Sequence, residues 1–260
     1  AKKYYDGCGR YLIPGFIDTH VHVESTMMIP ENLSRAILPW GTTTICTDPH
    51  EIGNVMGIEG VEFMLANAKK SKLRQYVLAP SCVPSVPGLE NAGAEFGAAE
   101  IGRLLDMDNV VGIAEIMDYV GVINDTERMH SIIEEGVKRG MFLQGHAPYC
   151  TGKELAAYLI GGPVSDHESV SEDEVRAKLR AGMHINLRAS SLIDSLSFLV
   201  DGCKDMPWRD FVSVCTDDVH AKDLLTVGHI NKVVGKAIAA GLDGKEVIKL
   251  ATLNAAREYG

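Results

Sequence analysis

Residues 18–26 read Asp18-Thr19-His20-Val21-His22-Val23-Glu24-Ser25-Thr26 and follow the apolar run Tyr11-Leu12-Ile13-Pro14-Gly15-Phe16-Ile17. Such a run reads as a buried strand. Alternate residues of a strand point to one side, so His20 and His22 share a face at its end and can both reach a single ion. An HxH pair is a weak pattern alone, and its weight depends on what the rest of the chain places beside it.

Working outward, short apolar or β-rich runs recur at 12–22, 42–48, 75–82, 109–116, 141–147, 163–168, 184–190 and 211–217. Amphipathic stretches separate them, at 57–70, 98–106, 125–140, 152–160, 171–182, 221–240 and 244–258. Ser171 and Glu174 stand in capping-box spacing, and Gly182 and Gly140 close their segments as C′ glycines. Met129, Ile132, Ile133 and Val137 mark one apolar face. Strands alternating with helices predict a parallel sheet. Eight such units in a 260-residue chain match a (β/α)8 TIM-like barrel, with a doubly wound sheet as the alternative.

In a barrel of this kind the chemistry lies at the C-terminal ends of the strands. The first strand ends in His20 and His22, the second in Asp48, His50 and Glu51, and the third in Ser81 and Cys82. Glu115 closes the fourth, His146 the fifth, Asp166, His167 and Glu168 the sixth, and Asp217 and Asp218 the eighth. Imidazoles with carboxylates suit zinc, iron or manganese. Six such ligands from five strands exceed the need of one tetrahedral site. Two ions a few ångströms apart would use them all, with Glu115 placed to bridge. Asp48, His50 and Glu51 read as a loop turned by Pro49, either solvated or touching substrate. Asp118 and Asp218 are candidate substrate contacts or surface charges. His130 and His184 are expected to be structural, and His229 to lie on a helix surface or in packing.

The formal charge of −10 argues against a phosphate-binding face, and hence against nucleic acid as a partner. No apolar run is long enough to cross a membrane, and no charged-then-apolar leader opens the sequence. The six cysteines are scattered without a CxxC pair, so reduced thiols and a cytoplasmic setting are expected.

With PGFIDTHVH, GIAE, QGHAP, SDHES and CTDD in this order, residues 11–260 resemble the amidohydrolase superfamily. Within it, HVHVEST, TTTICTDPHEIGNV, and CTDD followed by GHI are similar to the adenine-deaminase branch. Glu115 stands where many relatives carry a lysine that becomes carboxylated. The resemblance implies a distorted barrel with a binuclear centre that hydrolyses adenine to hypoxanthine and ammonia. His20, His22, Glu115, His146, His167 and Asp217 match the family's ligands to two divalent metal ions, manganese or iron ahead of zinc. Asp217 is the expected proton shuttle, and Glu51 or His50 the donor to a ring nitrogen. Homo-oligomers are common among such barrels.

The same resemblance sets expectations about organisation. Residues 1–11 read as a remnant of an N-terminal β-rich segment and residues 12–260 as the barrel, with the flanking β-domain largely absent and the chain a fragment or a trimmed form. Val23, Glu24 and Ser25 follow HxH without a cation, which favours a neutral or basic substrate such as a purine over an acidic one. Another amidohydrolase acting on a different substrate, or a truncated barrel that binds metal without turnover, remain open.

Overall fold

The structure, a computed structural model, describes residues 3–193 and 195–260. Its strands are β1 (Phe16–His22), β2 (Thr42–Thr47), β3 (Arg74–Ala79), β4 (Val110–Ile116), β5 (Phe142–Gly145), β6 (Ser165–Asp166), β7 (His184–Arg188), β8 (Val212–Cys215) and β9 (Asp217–Asp218). The helices are α1 (Pro30–Ile37), α2 (His50–Met56), α3 (Ile58–Ala68), α4 (Ala98–Leu105), α5 (Tyr119–Ile123), α6 (Glu127–Lys138), α7 (Gly152–Ile160), α8 (Glu172–Arg180), α9 (Leu196–Cys203), α10 (Ala221–Thr226), α11 (Ile230–Ala239), α12 (Gly244–Lys249) and α13 (Ala255–Glu258).

All paired strands run parallel, in the orders β5-β4-β3-β2-β1-β9 and β6-β7-β8. β9 continues the eighth strand beyond Thr216, so that strand pairs with β7 through Val212–Cys215 and with β1 through Val21↔Asp217. Between β5 and β6 the ladder is interrupted. One backbone bond, from Val164 N–H to Leu143 O at 3.1 Å, and one from Gly145 N–H to Ser165 Oγ cross there. The sheet thus curls into the expected TIM-like barrel, with a seam between β5 and β6.

Apolar residues of the helices pack on the outer face of this sheet. One cluster joins Ile101, Leu104, Met129 and Ile132 to Val77 and Ile113, and another joins Val175, Leu199 and Val233 to Ile185 and Val214. The bottom of the barrel is polar and plugged by the last residues. Glu258 accepts from Asn186 Nδ2 and Ser213 Oγ, and Tyr259 donates to Thr19 O at 2.5 Å.

Several elements differ from the sequence expectation. Residues 50–56, expected as a loop, form α2 directly after Pro49, where proline's missing N–H costs a helix start nothing. The stretch 221–240 is two helices, broken where Gly228 takes φ +127°. The sixth strand shrinks to Ser165–Asp166. At α8 the Ser171 hydroxyl accepts from Glu174 N–H as expected, and Gly182 adopts φ +88°.

Gly145 permits the seam. A Cβ there would stand 2.0 Å from Ser165 O and 3.1 Å from Tyr158 Oη, and the nearer obstacle is backbone that cannot rotate away. Gly145→Ala is therefore expected to destabilise the fold by about 3 kcal/mol, the upper end for overpacking. Urea unfolding checks this, and a midpoint equal to that of the parent would refute the close approach.

Candidate metal centre

The strand ends bring six side chains to one place. His20 and His22 leave β1 on one face, Glu115 comes from β4, His146 follows β5, His167 follows β6, and Asp217 opens β9. All six are buried except His146, which is half-buried.

Hydrogen bonds outside the cluster set the imidazole tautomers on β1. His20 Nδ1–H donates to Gln144 Oε1 at 2.8 Å, and His22 Nδ1–H donates to the carbonyl of Asp48 at 3.0 Å. Each ring therefore presents an Nε2 lone pair inward, which is how a metal-ligating histidine is oriented. The two Nε2 atoms face each other at 3.0 Å, with Asp217 Oδ1 at 3.4 and 3.3 Å from them. Two lone pairs and a carboxylate oxygen so close repel one another unless a proton or a metal ion lies among them.

Glu115 spans the centre. Its Oε1 lies 3.4 Å from His22 Nε2, and its Oε2 lies 2.5 Å from His146 Nδ1 and 3.2 Å from His167 Nε2. One oxygen therefore faces each histidine group. The residues present suit two divalent ions: His20, His22 and Asp217 for one, His146 and His167 for the other, Glu115 shared.

The electrostatics agree. Burial alone would lower the His22 pKa, but Asp217, Glu51 and Glu115 outweigh it and hold it well above the ordinary value. Burial would raise Glu115, and His146, His167 and His20 overcome it and hold the carboxyl well below its usual range. Asp217 is likewise held well below, by His20 and His22 against burial. His167 is pushed down to about 4, first by burial and then by His20. The centre keeps anionic carboxylates buried, an arrangement that attracts positive charge.

The helix at 50–56 changes the meaning of its first turn. His50 Nε2 stands 3.5 Å from Glu115 Oε1, and Glu51 Oε2 lies 3.5 Å from His22 Nδ1, so both sit against the centre. Asp48 is fully buried with no hydrogen-bond partner for either carboxylate oxygen among the described residues. Burial and the Glu115 charge push its pKa well above the carboxylate range.

A cavity of about 280 Å³ opens over the centre, lined by His22, His50, Glu51, Glu115, His146 and Asp217, with Asp218, Ser190, Leu192 and Ile193 at its wall. That is near the lower end for small-molecule sites. Asp218 accepts from the Ser25 hydroxyl. Asp118 is not part of this lining; it caps α5 by accepting from Gly121 N–H at 2.8 Å. His130 pairs with exposed Asp125, and His184 lies 3.2 Å from Glu258. His229 is buried, 3.1 Å from Asp18 Oδ2 and 2.9 Å from Thr42 Oγ1.

Sequence reasoning missed Arg188. It closes β7, enters the cavity wall, and its Nη1 donates to Asp217 Oδ2 at 2.9 Å and pairs with Glu168. Reading the seventh strand's end as the others were read would have found it. A cation is thus present, delivered by β7 and not by the residues that follow HxH on β1, and two carboxylates already neutralise it.

Asp217 itself sits in the left-handed region at φ +60°, a conformation a non-glycine residue keeps only where its surroundings impose it. Asp18 imposes it in part. Its carboxylate accepts from the backbone N–H groups of His20 at 3.3 Å and Thr216 at 3.1 Å, tying the residues beside both ligands.

The amidohydrolase family model matches residues 11–260. This chain belongs to the amidohydrolase family. It is 44% identical over 262 residues to adenine deaminase 2 of Rhizobium meliloti (strain 1021), covering 100% of this chain and 44% of that protein. It is 43% identical over 249 residues to an adenine deaminase of Klebsiella pneumoniae (strain 342), covering 95% of this chain and 41% of the other. The chain therefore spans less than half the length of the curated relatives it matches. Among solved structures, a β-aspartyl dipeptidase from Fervidobacterium islandicum AW-1 superposes with TM-score 0.62 at 18% identity, over 95% of this amidohydrolase chain and 73% of that one. A 5-methylcytosine deaminase from Klebsiella pneumoniae gives 0.54 at 13%, over 99% and 78%.

Proposed function

We propose that this chain is the metal-binding barrel of an adenine deaminase, a C–N hydrolase converting adenine and water to hypoxanthine and ammonia. The observation that carries the reading is the Glu115 carboxylate, with one oxygen turned to His22 and the other to His146 and His167. The similarity to proteins named adenine deaminase, over nearly all of this chain and less than half of theirs, supports the substrate.

His20, His22 and Asp217 would hold one divalent ion, His146 and His167 a second, and Glu115 both. The donors are imidazole and carboxylate with no thiolate, which suits manganese or iron as well as zinc. Such ions supply Lewis acidity that makes water a nucleophile near neutral pH. Asp217 takes the proton of the attacking water and passes it toward the departing amine at C6, while Arg188 on its Oδ2 fixes the carboxylate's orientation. Glu51 or His50, on the first turn of α2, donates to a ring nitrogen. Because Glu168 and Asp217 balance Arg188, the pocket needs no anionic substrate, in keeping with a neutral purine. A cytoplasmic setting fits the cysteines, all of them free thiols.

The test is a panel of adenine, adenosine, cytosine, guanine and N-acyl amino acids, assayed on protein reconstituted separately with manganese, iron and zinc. Adenine is expected to be preferred by about 100-fold or more in kcat/KM, as a site that hydrogen-bonds its substrate can achieve. Turnover of another compound in its place would assign a different amidohydrolase reaction. Metal uptake without any turnover would mark a non-catalytic barrel.

A further inference from the structure

Lys178 is fully buried on α8, on the helical side of the barrel and away from the cavity lining. Its ammonium donates to Asp166 Oδ2 at 2.9 Å, Glu174 Oε1 at 2.6 Å, Ser169 Oγ at 3.3 Å and the carbonyl of Ala147 at 2.7 Å. A lysine is left charged in a protein interior only where its surroundings satisfy it, and four oxygens do so here.

The position of this cluster matters more than its burial. Asp166 immediately precedes His167, and Ala147 immediately follows His146. Asp166 Oδ1 accepts from Ala147 N–H at 2.9 Å, while Lys178 takes the Ala147 carbonyl. Both backbone groups of Ala147 are therefore held by the one ion pair. The cluster lies across the seam between β5 and β6, where the sheet ladder supplies little to fix one strand end against the next. On the other side, the Tyr158 hydroxyl accepts from His146 N–H and donates to the Ile116 carbonyl, both at 3.0 Å, tying His146 to the end of β4. Glu115 lies on that same strand.

We propose that Lys178 is a positioning residue for the metal centre: with Asp166 it reinforces the interrupted β5–β6 ladder and sets His146 and His167 at the spacing at which both, with Glu115, can share one divalent ion. This rests on the binuclear reading above. The clamp acts on one half of the centre, because His20, His22 and Asp217 are placed by β1, β9 and Asp18.

The experiment is calorimetric titration of metal-free protein with manganese and with zinc, alongside metal content by mass spectrometry and thermal unfolding of the metal-free forms. The variants are Lys178→Met, Lys178→Arg and Asp166→Asn. The parent is expected to take two equivalents. Lys178→Met is expected to bind one equivalent as the parent does and the other at least about tenfold more weakly, as for removal of groups that orient a ligand. Lys178→Arg, which keeps the cation, should recover part of that loss. If Lys178→Met does not fold, Asp166→Asn carries the same comparison, since it keeps the shape and removes the carboxylate that links Lys178 to the seam, leaving Glu174 in place.

Unchanged binding of both equivalents would overturn the proposal. Equal weakening of both, with a lower melting temperature, would overturn it too, by showing a general structural role. A parent that takes fewer than two equivalents would remove the binuclear reading and this inference with it, an outcome distinct from failure of the clamp.

Discussion

Glu115→Gln is expected to cost the protein at least one metal equivalent and to lower kcat/KM for adenine by about 10³-fold. Glutamine preserves the side chain's length, so packing on β4 survives and the change isolates charge. The buried carboxylate faces His22 with one oxygen and His146 and His167 with the other. An amide offers one acceptor, and its NH₂ would face an imidazole lone pair or a cation. Metal ions stabilise transition-state charge by several kcal/mol, and losing about 4 kcal/mol corresponds to about 10³ in rate. Metal analysis on purified protein and the ultraviolet absorbance change of adenine check both halves. Two retained equivalents with a rate within a few-fold of the parent would show that Glu115 does not bridge.

Asp217→Asn is expected to act differently, lowering kcat by about 10² to 10⁴ while leaving much of the metal in place, the range attributed to a lost general acid or base. Asp217 Oδ1 faces the Nε2 atoms of His20 and His22, and Oδ2 accepts from Arg188. Asparagine can keep one of these contacts but cannot carry a proton between water and amine. The histidines hold the Asp217 carboxyl well below its usual range despite burial, so it is ionised and ready to accept throughout the neutral range. Metal content must be measured beside the rate, because a fall in both would report a ligand and not a shuttle. A rate within a few-fold of the parent, with metal intact, would refute the shuttle role.

Comparing the two variants separates functions that lie within a few ångströms of each other. It also bears on how much of the site was legible beforehand. The convergence of the six side chains could be read because each stands at a strand end, and strand ends meet at one mouth of a barrel whatever the loops do. His50 and Glu51 were harder to place. Proline before them reads as a turn, and the helix they begin is stabilised by packing that a local window does not contain. Gly53, for example, packs where an added Cβ would touch Val83, Pro80 and Phe96, residues that follow β3 in the chain. Lys178 was invisible for a related reason. On the sequence a lysine within EDEVRAKLR reads as a solvated helix face, and only the seam beside α8 makes it an interior charge.

By itself, then, the sequence determined the strand and helix alternation, the barrel, and the identity of the six side chains at its mouth. Those depend on local periodicity and on which residue types close each strand, and both are written in the order of residues. What the tertiary structure decided was the division of Glu115 between two histidine groups, the strained Asp217 held through Asp18, the neutralised Arg188, and the clamp across β5 and β6. Each of these joins residues far apart along the chain. Its existence depends on distances of about 3 Å between groups that the sequence cannot bring together until the sheet has curled.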